Sequence, residues 1–283
     1  MGPLLFLLYI NDMIQCSNVL FSSQFADGST AAYRSLSLDQ ALLTAETQFK
    51  HVLDWLAANK LIINLNKTHL MLFTNRTRPH SISITANGQT INEVTETKFL
   101  GVMLDNTLSW NAHINYISKK VSKSVSILKM LKYTFPSNVL KSLYQSLVYP
   151  YYNYCNLVWG SAASVHLVPL VNLQKKAIRI ICKVGYFDTT PPLFDNLKLL
   201  QVNEIYDFNC AKFIYQCYNT NTNTYFKAKL LPNSTFHNYG TRNRDLLRKP
   251  IVRLHKFTNS FLSNGIDMWN SLPNIIKESP TII

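Results

Sequence analysis

Carboxylates are scarce in this chain: 15 Asp and Glu stand against 28 Lys and Arg, which leaves a net charge of +13 and a pI of about 9.5. A surplus of this size favours a polyanionic partner, nucleic acid or an anionic membrane, the alternative being a basic protein with no such partner. Paired cysteines are absent too. Cys16, Cys155, Cys182, Cys210 and Cys217 are dispersed, with no Cys-x-x-Cys and no His pair at zinc spacing. That excludes a zinc knuckle or ribbon and a disulfide scaffold, and predicts buried free thiols in a reducing compartment. Long apolar runs are missing as well. Pro3 to Ile10 is apolar throughout, but it is too short to span a bilayer and has no basic segment before it, so neither a membrane span nor a signal peptide is expected. The segment does not fit the myristoylation pattern, because Phe occupies position 6. Leu4–Tyr9 is expected to pack as a helix or buried segment under the hairpin that follows. There is no internal repeat and no low-complexity segment.

Hydrophobic residues make up 47% of the chain, with fifteen Tyr and fifteen Phe, enough for a sizeable core. The length of 283 residues suggests about two domains. Near the start, Phe25-Ala26-Asp27-Gly28-Ser29-Thr30 lies between two strand-like segments. The pattern reads as a hairpin presenting the Asp27 carboxylate at a tight turn; an Asp-Gly pair there is also what an ordinary type I′ turn requires.

Apolar residues at three- and four-residue steps predict a helix from Leu38 to Asn59, with Ser37 and Gln40 spaced as a capping box. His69–Phe73 reads as a strand. Ala86-Asn87-Gly88 between Ser81–Thr85 and Gln89–Ile91 is a strong hairpin signal. Thr97–Leu104 reads as one strand with Gly101 inside it, as at a bulge or where another backbone comes close. These elements give residues 1–110 an α+β character.

From Asn111 the pattern turns helical. Ile114, Ile117, Val121, Val125 and Leu128 form one stripe, with Lys119, Lys120 and Lys123 on the opposite face. Spacing alone leaves that face either simply solvated or tracking phosphates. Further helices are expected over Asn138–Val148, Val165–Lys183 and Asn203–Tyr218. Tyr149, Tyr151, Tyr152, Tyr154 and Trp159 form an aromatic cluster that fits a core better than a base-stacking platform. A polar break at 220–224 leads into a basic tail containing His237, Tyr239, Arg242, Arg244, Arg248, Lys249, Arg253, His255 and Lys256, and a short helix closes around Trp269.

The ordered motifs carry a resemblance. Gly2-Pro3-Leu4-Leu5-Phe6, Tyr9-Ile10-Asn11-Asp12, Phe25-Ala26-Asp27, Asn66-Lys67-Thr68, Lys98-Phe99-Leu100-Gly101-Val102 and Leu108-Ser109-Trp110 follow one another as in the reverse transcriptases of non-LTR (LINE-type, Jockey-like) retrotransposons. Downstream, Tyr154-Cys155, Val158-Trp159-Gly160, Thr241-Arg242 and Trp269-Asn270 resemble the carboxy-terminal region of the same proteins. The resemblance implies an α+β fold: a partial reverse-transcriptase palm over 1–110, a mostly α-helical thumb-like region over 111–219 and a basic carboxy-terminal region over 220–283.

It also implies an RNA-directed DNA polymerase with Mg²⁺ as cofactor, acting on an RNA template, a DNA primer and a dNTP, with no membrane. Asp27 would be a metal ligand, Lys67 a proton donor beside the incoming nucleotide, and Phe99, Leu100 and Gly101 a primer grip. Lys119, Lys120 and Lys123 would face the duplex. The resemblance further implies an intracellular setting, and reverse transcription at a nicked chromosome would put a working parent in the nucleus.

Two departures limit what is expected. Gly28 stands where the family has a second aspartate, and the family's other essential aspartate falls before the first residue of this sequence. Two Mg²⁺ ions about 4 Å apart need several carboxylates. A chain with Asp27 alone is expected not to polymerise by itself, and a palm without its first strand is expected to expose an unpaired edge and favour aggregation. The alternative function is a non-catalytic nucleic-acid-binding remnant.

Overall fold

The computed structural model describes residues 2–26, 28–76, 80–219, 223–236, 239–240, 242–251, 257, 260–277 and 279. They form two compact units that part between Thr97 and Lys98. The architecture mixes helix and strand, as expected for an α+β chain.

The first unit opens with α1 (Gly2–Ile10) and a 3-10 segment, Asn11–Cys16. The strands β1 (Phe21–Phe25) and β2 (Gly28–Ala32) follow as an antiparallel pair. Leu4–Tyr9 was expected to be packed away. The helix forms, but only Ile10 is buried, and Leu4, Leu5 and Leu8 stand well exposed. A helix that is apolar all round has no wet face to set against a dry one, so the sequence does not orient it. Its end is tied to the hairpin by Gln24, whose Nε2 donates to the Ile10 carbonyl at 3.1 Å.

The helix α2 (Leu38–Ala58) lies on a second hairpin, β3 (Ser83–Ala86) and β4 (Gln89–Asn92). Asn87 and Gly88 turn it with φ of 49° and 73°, the left-handed pair that the Asn-Gly signal predicts. Phe49 and Leu53 pack on Ile84, Ala86 and Ile91 to make this unit's small core. Two polar ties lock the register: Thr85 N donates to Glu46 Oε1 at 3.2 Å, and Asn87 Nδ2 donates to Asp54 Oδ1 at 2.9 Å. The expected capping box at Ser37 does not form. Gln40 instead accepts from the Ser35 hydroxyl at 3.1 Å, which leaves no side-chain cap at Ser37. His69–Phe73 is not a strand either; only Leu70 bridges Glu93, because a run this short gains no ladder without a partner strand alongside.

The expected single strand over Thr97–Leu104 is a hairpin, β5 (Glu96–Phe99) and β6 (Val102–Asp105). Leu100 and Gly101 adopt φ of 44° and 83°. Two left-handed residues in a row reverse the chain, where a bulge would only bend it.

The second unit is helical: α3 (Asn111–Leu131), α4 (Ser137–Leu147), α5 (Tyr149–Asn153), α6 (Asn156–Trp159), α7 (Ser164–Ile181), α8 (Pro191–Leu197) and α9 (Val202–Asn219). The α3 stripe is buried along its whole length, against α7 and α4. Pro150 falls in the first turn of α5, where a missing N–H costs nothing.

The aromatic cluster divides. Tyr152 and Trp159 are fully buried, Tyr149 and Tyr151 pack against the same core, and Tyr154 reaches out to the surface. Gln174 satisfies the core's polar groups: its Nε2 donates to Tyr144 Oη (3.0 Å) and the Leu200 carbonyl (2.9 Å), and its Oε1 accepts from Val202 N (3.0 Å).

A satellite cluster joins Ile214 and Cys217 of α9 to Leu230, Leu247, Ile266 and Trp269. Asn270 acts there like a strand edge, accepting from Leu247 N (2.9 Å) and donating to the Leu247 carbonyl (3.0 Å). All five cysteines are free; Cys210 and Cys217 are buried, and the other three are half-buried.

Candidate nucleic-acid interface

The β5–β6 hairpin and α3 are joined by a short loop that one carboxylate organises. Asp105 is buried and accepts from the backbone N–H groups of Thr107, Ser109 and Trp110, each at 3.0 Å, and from the Thr107 and Ser109 hydroxyls. Burial pushes its pKa up, but these hydrogen bonds outweigh it and hold the carboxyl below its ordinary value. The carboxylate thereby stabilises a loop in which Leu108 and Trp110 both carry positive φ, and it launches α3. With its oxygens so engaged, Asp105 is a structural anion. His113 on the first turn of α3 accepts from Met103 N through Nδ1 at 3.2 Å, pinning β6 to the helix. Burial lowers its pKa to about 4, so it is a neutral imidazole at pH 7.

This loop sets the exposed side of the hairpin beside the polar face of α3. Lys98 Nζ lies 3.3 Å from the Tyr116 hydroxyl and 5.2 Å from the centre of its ring, and Lys120 Nζ lies 5.7 Å from the same centre. Tyr116 thus gathers one cation from β5 and one from α3. Phe99, Leu100 and Gly101 are exposed at the hairpin end, and Lys119, Lys120 and Lys123 are exposed along the helix.

The Tyr154 hydroxyl donates to the Leu100 carbonyl at 2.7 Å, and its ring lies where a Cβ on Gly101 would come within 3.2 Å. The close neighbour that demands glycine at 101 within the chain is therefore an aromatic ring.

The remaining expected residues lie outside this surface. Asp27 is outside the described residues. The register pairs Phe25 with Gly28, so Gly28 opens β2 and is not a turn residue, while Ala26 carries the positive φ of 53°. Lys67 is exposed at the end of a single 3-10 turn, Leu65–Lys67, in the first unit. The neighbouring open depression is lined by Ile62, Ile63, Asn64, Leu65, Asn66 and Gln89. Among the described residues no group of three or more His, Cys, Asp or Glu is placed to hold a metal ion, and no helix is long and apolar enough to cross a membrane. Of the basic tail, His237, Arg253, His255 and Lys256 are outside the described residues, as is Thr241 of the Thr241-Arg242 motif. Arg248 stacks its guanidinium on Phe236 at 4.1 Å, and Lys249 pairs with Asp267.

Lys98, Tyr116 and Tyr154 were not marked as site residues from sequence. One signal was present in plain view: no Asp or Glu occurs between Asn106 and Phe187, so every formally charged side chain there is Lys or Arg. A phosphate-bearing partner meets no fixed repulsion along that stretch.

Comparison with known proteins agrees with the resemblance read from the motifs. The chain is 28% identical over 211 residues to the probable RNA-directed DNA polymerase from transposon X-element of Drosophila melanogaster, covering 71% of this chain and 23% of that protein. It is 24% identical over 216 residues to the polymerase from mobile element jockey of Drosophila funebris, covering 72% and 23%. A similar match is made to the probable polymerase from transposon BS of Drosophila melanogaster, 24% identical over 216 residues. These are non-LTR elements, and the likeness is that of a partial Jockey-like reverse transcriptase. The chain spans about a quarter of the length of these relatives. No protein-family model matches it, and no solved structure does.

Proposed function

We propose that this chain is the part of a non-LTR RNA-directed DNA polymerase that holds the primer–template duplex. In this reading residues 1–110 are the palm end, 111–219 the thumb and 220–283 a basic carboxy-terminal region. The partners are an RNA template and a DNA primer.

One observation carries it. Lys98 and Lys120 converge on Tyr116, which brings a cation of the strand leading to the hairpin end beside the lysine face of α3. The hairpin presents the exposed apolar side chains of Phe99 and Leu100 at a tight turn, suited to resting against a sugar or a terminal base. The helix presents cations to phosphates, which fix position without reading sequence.

The polymerase step itself is not assigned. Mg²⁺ would need a cluster of hard oxygen ligands, and a single Asp27 followed by Gly28 does not provide one. Lys67 is the candidate cation for a nucleotide phosphate in the first unit.

The test is binding of the full chain to an RNA–DNA duplex across a salt series, with Lys119, Lys120 and Lys123 together changed to Gln. The slope of log K against log salt should fall in magnitude by about 2–3, roughly one counterion per lost lysine. An unchanged slope with unchanged affinity would overturn the reading.

A further inference from the structure

Seventeen residues beyond Tyr116, about 25 Å along the axis of α3, aromatic rings and cations meet a second time. There α3 has ended and the loop after α7 comes alongside. Lys132 Nζ donates to the Val184 carbonyl at 3.2 Å and lies 5.5 Å from the centre of the Tyr133 ring. Across the junction, Arg179 lies 5.9 Å from the Tyr186 ring centre, and Tyr186 meets Phe187 edge-on at 5.1 Å.

The loop is built. Lys183 reverses the chain with a φ of 59°, Gly185 N donates to Asp188 Oδ2 at 2.7 Å, and Arg179 Nε donates to the Asp188 carbonyl at 2.9 Å. Yet its rings and that of Tyr133 across the junction stand exposed: Tyr133 is 85% exposed, Tyr186 71% and Phe187 91%. The nearest carboxylate in sequence, Asp188, is engaged within the loop, and Lys129 and Lys183 stand exposed nearby in the chain.

We propose that this tip of the helical unit binds unpaired, single-stranded nucleic acid. Rings held up by hydrogen-bonded backbone, with cations against Tyr133 and Tyr186, form a stacking platform flanked by phosphate partners. A duplex stacks its bases on one another and offers only its phosphates, whereas an unpaired base brings a free face to Phe187. An acyl layer fits less well, since Lys132 and Arg179 sit against the rings and would be drawn into it with them. The inference shares its class of partner with the duplex reading above but uses a separate surface.

The test uses the full chain, a single-stranded oligonucleotide, a blunt RNA–DNA duplex and vesicles of anionic and neutral phospholipid. Tyr133→Ala combined with Phe187→Ala should weaken single-strand binding about fivefold or more while leaving duplex affinity and the thermal midpoint unchanged. The Lys119, Lys120 and Lys123 variant should show the opposite pattern. Equal loss on both nucleic acids, no loss on the single strand, or vesicle binding abolished by the same two changes would each overturn the proposal. Duplex binding that responds to the three lysines would survive any of those results, so failure here is separable from failure of the duplex reading.

Discussion

The Tyr154 hydroxyl donates to the Leu100 carbonyl across 2.7 Å, bringing together two residues fifty-four positions apart. That contact braces the left-handed turn of the β5–β6 hairpin against the short helices after α4. Gly101 completes the fit, because its missing Cβ leaves room for the tyrosine ring.

Tyr154→Phe should keep the ring and lose the hydroxyl's hydrogen bond to Leu100, together with its contact to the Cys155 thiol. The full chain should then fold with little change in thermal midpoint and bind a duplex with a recessed 3′ end severalfold more weakly, while affinity for a blunt duplex changes less. Equal weakening on both would separate Tyr154 from the hairpin end.

Gly101→Ala should act more strongly, since it forces a Cβ onto a φ of 83° and to within 3.2 Å of the ring. A loss of about 1–2 kcal/mol is expected from the left-handed conformation alone. Urea denaturation followed by circular dichroism would measure it.

Stability should depend on pH through His113. The folded imidazole takes its proton only near pH 4, the unfolded one near 6.5. Between those values the unfolded chain binds more protons, so stability is full above pH 6.5 and falls as pH is lowered through the window. The slope is at most about 1.4 kcal/mol per pH unit. His113→Leu should flatten that slope in urea titrations at pH 4.5, 5.5 and 7.

Asp105 adds a second, more acidic component. Its folded pKa is lowered, so its contribution is present above pH 3.8 and is lost as pH falls through the lower folded value. Asp105→Ala at pH 7 should cost about 1–3 kcal/mol, because three half-buried hydrogen bonds from loop backbone donors lose their charged acceptor. An unchanged urea midpoint would show that the loop holds itself without the carboxylate.

Gly160→Ala should destabilise the helical unit by about 1–3 kcal/mol through overpacking. An added Cβ would come within 2.5 Å of Tyr206 Cδ2 and 2.6 Å of the Asn156 carbonyl. The Val158-Trp159-Gly160 motif thereby has a packing reason: Trp159 fills the core and Gly160 lets α9 close over it. Thermal melts of the variant would measure the cost.

Elements with one dominant period were legible in the sequence. The α3 stripe from Ile114 to Leu128 is apolar at helical spacing with lysines opposite, so burial and exposure followed directly. Asn87-Gly88 named its own turn type. The misread elements are those where local pattern is degenerate. Leu4–Tyr9 is apolar on every side, so only neighbours could say which side is covered. Thr97–Leu104 alternates acceptably as one strand, and nothing local says that Leu100 joins Gly101 in left-handed space. The β5 segment and the α3 lysines are far apart in pattern, and nothing local says that Lys98 and Lys120 meet at Tyr116.

By itself, then, the sequence determined the four long helices α3, α4, α7 and α9 of the second unit, the cationic character of the chain and the likeness to a Jockey-like reverse transcriptase, while the short helices α5, α6 and α8 were not legible in it. Periodicity, charge and motif order are properties of the chain alone. Tertiary structure decided what meets what: Lys98 with Tyr116, Tyr154 with Leu100, Lys132 with Val184. Each such pair depends on turns and packing between residues far apart in the chain, and no residue's own preference encodes them.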